Sequence, residues 1–77
     1  MATKKARIYG FSVEYDEKFK EGIRYLRSDL QYREAKVIFD AARFKGKAEF
    51  EDDRDWDWTL VYNRGKGTYT LVRRKRE

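Results

Sequence analysis

The spacing of hydrophobic positions along this chain changes several times, and each change marks an element. From Arg7 the pattern alternates: Tyr9, Phe11, Val13 and Tyr15 fall on one side, Ile8, Gly10, Ser12 and Glu14 on the other. Period two with aromatic and β-branched residues predicts one half-buried strand. The polar, basic residues 1–5 before it read as a mobile tail.

Residues 16–28 fit two patterns. Phe19, Ile23, Leu26 and Leu30 have the spacing of a helical stripe, and Asp16 is placed to cap it. Gly22 costs such a helix close to 1 kcal/mol relative to Ala. The other reading is a turn near Asp16–Phe19 followed by a strand through Gly22 to Arg27, with Ile23 and Tyr25 on one face. The two are closely balanced. The start signal of the next helix favours the strand, because Ser28 and Gln31 make a capping-box pattern.

Beyond that signal, Leu30–Phe44 is predicted helical. Ala35, Ile38, Phe39 and Ala42 form one apolar stripe; Leu30, Val37, Ala41 and Phe44 form a second beside it. Gly46 stands at the C-cap, with Arg43 and Lys45 in the last turn, where the helix dipole favours cations. A meander follows: a strand over Lys47–Asp52, a turn at residues 53–55, a strand over Trp56–Asn63, a glycine-bearing turn over Arg64–Gly67 and a strand over Thr68–Arg74. The expected fold is α+β: an antiparallel sheet of four to five strands with one or two helices on one face, in the order ββαβββ or βααβββ. It forms a single domain over residues 1–77, with short basic ends at about 1–5 and 74–77. Double-stranded-RNA-binding domains, compact ribonuclease toxins and phage-encoded inhibitors share this outline, and no motif ties the sequence to any one of them.

Composition narrows what such a fold can do. A chain of 77 residues buries only roughly 60–65% of its unfolded surface, so an internal ligand cavity would consume much of the core. There is no Cys and no His, which removes disulfides, the usual zinc and iron–sulfur ligands, thiol nucleophiles and imidazole acid–base chemistry. No apolar run approaches the roughly 20 residues that cross a bilayer, and the chain reads as cytoplasmic. Charged residues make up 43% of it with a net charge of +5, but the 17% aromatic content argues against disorder.

The candidate chemistry is therefore on the exterior. Lys4, Lys5, Arg73, Arg74, Lys75 and Arg76 at the two ends, with Arg64 and Lys66 in the last turn, form a candidate patch for nucleic-acid phosphates. The strand tyrosines Tyr9, Tyr15, Tyr62 and Tyr69 suit base stacking but fit the core face better. The stretch Glu49–Trp58 gathers six carboxylates without the spacing of an EF-hand. Its Asp52, Asp53, Asp55 and Trp56 suit a protein interface, as does the helix face of Val37, Ala41 and Phe44. The expected function is a non-catalytic, nucleic-acid-associated binding protein without cofactor or metal. The alternatives are a protein-binding regulator of the phage or mobile-element type, a homodimer, and a toxin-type ribonuclease using Tyr69, Arg73 and Arg74.

Overall fold

The computed structural model describes residues 3–52 and 54–74. Its strands are β1 (Thr3–Ile8), β2 (Phe11–Asp16), β3 (Lys47–Glu51), β4 (Asp57–Asn63) and β5 (Thr68–Arg73). They form one sheet in the order β1-β2-β5-β4-β3, antiparallel except where β2 lies parallel to β5. The helices pack on a single face, so the class is α+β as the pattern predicts. The order is ββααβββ, with both the extra strand and the extra helix present.

The N-terminal alternation conceals a hairpin rather than one long strand. Tyr9 and Gly10 both have positive φ, 50° and 88°, the geometry of a two-residue type I′ turn. That turn shifts the parity of the pattern: Ala6 and Ile8 before it share the helix-covered face with Phe11, Val13 and Tyr15 after it. The Tyr9 hydroxyl donates to the Leu30 carbonyl at 2.8 Å, and its ring meets Tyr32 edge-on. Thr3, Lys4 and Lys5, expected in a free tail, are paired with Asp16, Tyr15 and Glu14.

Residues 17–29 are helical, which overturns the strand reading. A 3₁₀ turn (Glu17–Phe19), the short helix α1 (Lys20–Arg24) and a π-helical turn (Tyr25–Asp29) run together, started by Asp16, whose carboxylate accepts the Lys18 N–H at 3.1 Å. Gly22, the residue that counted against a helix, is what lets one fit. A Cβ there would stand 2.8 Å from Leu71 Cδ2 and 2.9 Å from two ring atoms of Trp58. The backbone of α1 thus lies directly on the sheet, and close approach outweighs propensity.

The second helix, α2 (Tyr32–Lys45), starts two residues later than expected. Its capping interaction runs from the Gln31 N–H to Glu34 Oε1 at 3.1 Å rather than from Ser28. Gly46 closes it in the left-handed conformation. The start of α2 touches Tyr9 at the β1–β2 tip, and its end feeds β3 at the opposite edge. Fourteen residues span about 21 Å, close to the ~19 Å between the outer strands of a five-stranded sheet, so α2 crosses the full width. Ala35, Phe39 and Ala42 are buried beneath it, with Phe39 stacked on Phe11. Trp58, Leu60, Leu71 and Val13 complete the core from the sheet side.

Replacing Gly22 by Ala removes a helix-propensity cost of about 1 kcal/mol but overpacks the contact with Trp58 and Leu71, which costs about 1–3 kcal/mol. The indole has no flexible end to move aside. Gly22→Ala should therefore lower the urea midpoint at unchanged m-value, by a net loss of up to about 2 kcal/mol; a midpoint above wild type would show that the helix stands off the sheet.

Candidate nucleic-acid interface

The topology brings three basic segments to one end of the sheet. The β1–β2 tip and the Arg64–Gly67 turn lie together because β2 and β5 run parallel. The end of α2 joins them, since the Tyr62 N–H donates to the Gly46 carbonyl at 2.9 Å. Gly10, Phe11, Arg43, Tyr62 and Gly67 line one shallow cavity of about 250 Å³ there. This end carries Arg7, Arg43, Lys45, Lys47, Arg64 and Lys66, all exposed. The segments 7–12, 43–48 and 61–68 contain no carboxylate. Among the described residues none of the six cations is in an ion pair. Arg43 and Lys45 suit the negative end of the α2 dipole. Lys47, Arg64 and Lys66 have no such structural task.

The sheet face opposite the helices continues this surface. Ser12, Thr68, Thr70 and Asn63 lie on it beside Lys5 and Arg7, and the Asn63 amide donates to Thr70 Oγ1 at 2.8 Å. Lys5, Arg7, Ser12, Glu14 and Thr68 line a groove of about 350 Å³. The sheet aromatics all face the helices. Phe11, Tyr62 and Tyr69 pack against one another or against Phe39, so this part of the bare face offers hydroxyls, cations and the Glu14 carboxylate but no stacking platform.

Of the basic residues nominated from sequence, Lys5, Arg64 and Lys66 belong to this end; Lys5 stands across from Glu14. The others do not converge with them. Lys4 projects on the helix side of the edge strand, opposite Tyr15. Arg73 and Arg74 are at the far end of β5, already engaged. The Arg73 guanidinium lies 4.4 Å from the Trp56 ring centroid and 5.6 Å from that of Phe19. Arg74 pairs with Glu49 at 3.4 Å and Asp57 at 3.8 Å. Lys75 and Arg76 lie outside the described residues, as does Asp53. Sequence reasoning missed Arg7, Arg43, Lys45 and Lys47. Their one signal was the lack of acidic residues in three separated segments, and only the parallel β2–β5 pairing makes those segments neighbours.

The nominated protein-binding residues divide similarly. Val37 and Phe44 stand out from α2, 68% and 81% exposed, while Ala41 is half-buried. Asp55 is exposed, and Trp56 lies under the Arg73 guanidinium. Tyr69 is 4% exposed, and burial followed by the proximity of Tyr62 pushes its hydroxyl above its ordinary 10.0. It is about 13 Å along β5 from Arg73, so the three residues considered for ribonuclease chemistry form no cluster. The chain matches no family model, no curated protein and no solved structure.

Asp52, also nominated for a protein interface, is turned inward. It is 7% exposed and holds the β3–β4 turn. Its Oδ2 accepts the Trp58 indole N–H at 2.8 Å, and its Oδ1 accepts the backbone N–H groups of Arg54 and Trp56 at 2.9 and 3.0 Å. Burial works against its ionisation, but the hydrogen bonds from Trp58, Trp56 and Arg54, with the Arg54 charge, outweigh it and hold the carboxyl below its ordinary 3.8. A depressed carboxyl stabilises the fold fully above its unfolded value and loses that contribution as pH falls through the folded one. Asp52→Asn turns a donor toward the indole N–H and should cost about 1–3 kcal/mol at pH 7. In urea titrations across pH, the gap to wild type should narrow below pH 3.8. A gap that stays constant there would mean that the charge does not hold the turn.

Proposed function

We propose that this protein is a non-catalytic nucleic-acid-binding protein that grips phosphates with the cationic end formed by the β1–β2 tip, the end of α2 and the Arg64–Gly67 turn. The observation that carries this reading is the convergence of six exposed cations, in no ion pair among the described residues, from three carboxylate-free segments. That end spans about 19 Å across five strands. One strand of a duplex places a phosphate every ~3.4 Å of axis, so roughly five to six phosphates fall within the span. Cation number and phosphate number therefore agree. The hydroxyls of Ser12, Thr68 and Thr70 extend the same surface with groups that donate to phosphate oxygens. With no stacking aromatic on the bare face, recognition rests on the backbone and depends little on sequence.

The opposite end carries Glu49, Glu51, Asp55 and Asp57. These carboxylates gather on the β3–β4 side of that end, so the protein approaches a polyanion with that side turned away. A second reading, a homodimer, draws on the exposure of Val37 and Phe44 along α2. Its expected outcome is self-association at micromolar concentration, read by sedimentation and abolished by Phe44→Asp. A strict monomer removes it.

The triple variant Lys47→Glu, Arg64→Glu, Lys66→Glu should bind oligonucleotides at least about tenfold more weakly at 50 mM salt. Its log K against log salt slope should be shallower by roughly 2–3, at about 0.7–0.9 per phosphate contact. Lys18→Glu, at the other end, should change little. Absence of wild-type binding to both DNA and RNA at the lowest salt, where attraction is strongest, would end the proposal.

A further inference from the structure

A second cationic site is built on α1, at the end of β2 away from the first. Lys20, Arg24 and Arg27 recur at i, i+4 and i+7, which puts all three on one side of the helical segment. They line a cavity of about 450 Å³ with Tyr15, Ile23 and Ser28. Ile23 is 4% exposed and Tyr15 half-buried, so the floor is apolar and fixed by the core. Lys4 stands opposite Tyr15 in the β1–β2 register and projects from the same side of the sheet. Glu21 is the one carboxylate on the wall, and it pairs with Arg54 at 3.5 Å. Among the described residues Lys20, Arg24 and Arg27 are in no ion pair.

Three like charges at these spacings repel one another along a short helix that already contains a glycine. Nothing in the packing uses them, because the buried residues of this segment are Gly22, Ile23 and Leu26. Two guanidinium forks, an ammonium and a hydroxyl supply more donors than one carboxylate accepts, and a positive charge better matched to a dianion. The volume falls within the range of small-ligand sites and leaves room beyond the anion itself.

We propose that this cavity binds the phosphate group of a nucleotide, with Arg24 and Arg27 gripping its oxygens and Lys20 and Ser28 completing the shell. The group has two sources, a free nucleotide or the 5′-phosphorylated end of a strand. The site shares no residue with the other cationic end, so the two stand or fall separately.

The test is a calorimetric titration at low salt with ADP, 5′-phosphorylated hexathymidylate and 5′-hydroxyl hexathymidylate. Wild type, Arg24→Glu/Arg27→Glu and Lys47→Glu/Arg64→Glu/Lys66→Glu are compared, each checked for folding by circular dichroism. The neutral pair Arg24→Gln/Arg27→Gln replaces the reversed one if that fails to fold. The expected result is binding of ADP, or a preference for the 5′-phosphorylated strand over its hydroxyl counterpart, that the Arg24/Arg27 change weakens at least tenfold; the triple variant weakens both strands alike and leaves that preference and the ADP affinity where they were. ADP binding identifies the free nucleotide as the source, and preference between the two strands identifies the strand end. Absence of both, or equal weakening by the two sets of substitutions, overturns the proposal.

Discussion

Trp58 is the residue around which the other elements are placed. Its indole ring lies against the bare backbone of Gly22, meets the edge of Phe19 at 5.9 Å between centroids, and donates its N–H to Asp52. Two stretches of chain are thereby fixed to β4: the 3₁₀ turn with the first helix that follows it, distant in sequence, and the adjoining β3–β4 loop. The ring is 1% exposed, so its one polar atom needs a partner, and Asp52 is the partner. A carboxylate that serves the indole and two backbone N–H groups at once leaves the loop little freedom. Because Gly22 has no side chain, α1 lies flat, and Lys20, Arg24 and Arg27 are carried outward on its far side.

Charge is sorted by topology rather than by sequence. Basic residues occur throughout the chain, and no segment looks strongly cationic except the C-terminus. The parallel β2–β5 pairing brings the first tip and the last turn to one end, and α2 crosses the sheet to finish beside them. Arg7, Lys47 and Lys66 come to the same end of the sheet only then. At the other end Arg74 is taken up by Glu49 and Asp57, and Arg73 by aromatic rings. Those contacts neutralise cations that the linear pattern offers as free, so the two ends of the sheet differ more than the sequence suggests.

Most of the sheet was legible. The meander β3–β4–β5 follows from alternation and glycine-bearing turns, and α2 from its Ala35–Phe39–Ala42 stripe and Gly46. The first hairpin was not, because Tyr–Gly is a rare pair for a turn with both φ positive and the alternation runs on across it. The helix over residues 17–29 was misjudged because a mid-helix glycine counts as a penalty until the surface beneath it is known. Asp52 looked like one more exposed carboxylate, since nothing local says that an indole six residues on will need an acceptor. The cationic end was the least legible part, being assembled from segments that only long-range pairing joins.

The parallel ladder between β2 and β5 also decides when the protein can fold. Val13, Glu14 and Tyr15 pair with Tyr69, Thr70 and Leu71, far along the chain. During synthesis the first hairpin emerges early and must wait, one side unmatched, until the last strand leaves the ribosome and slots into the middle of the sheet. Loops this long close slowly, so this is where the folding barrier is expected to lie. Loss of Tyr69, Thr70 and Leu71 would therefore remove the central seam of the sheet and separate the hairpin from the meander.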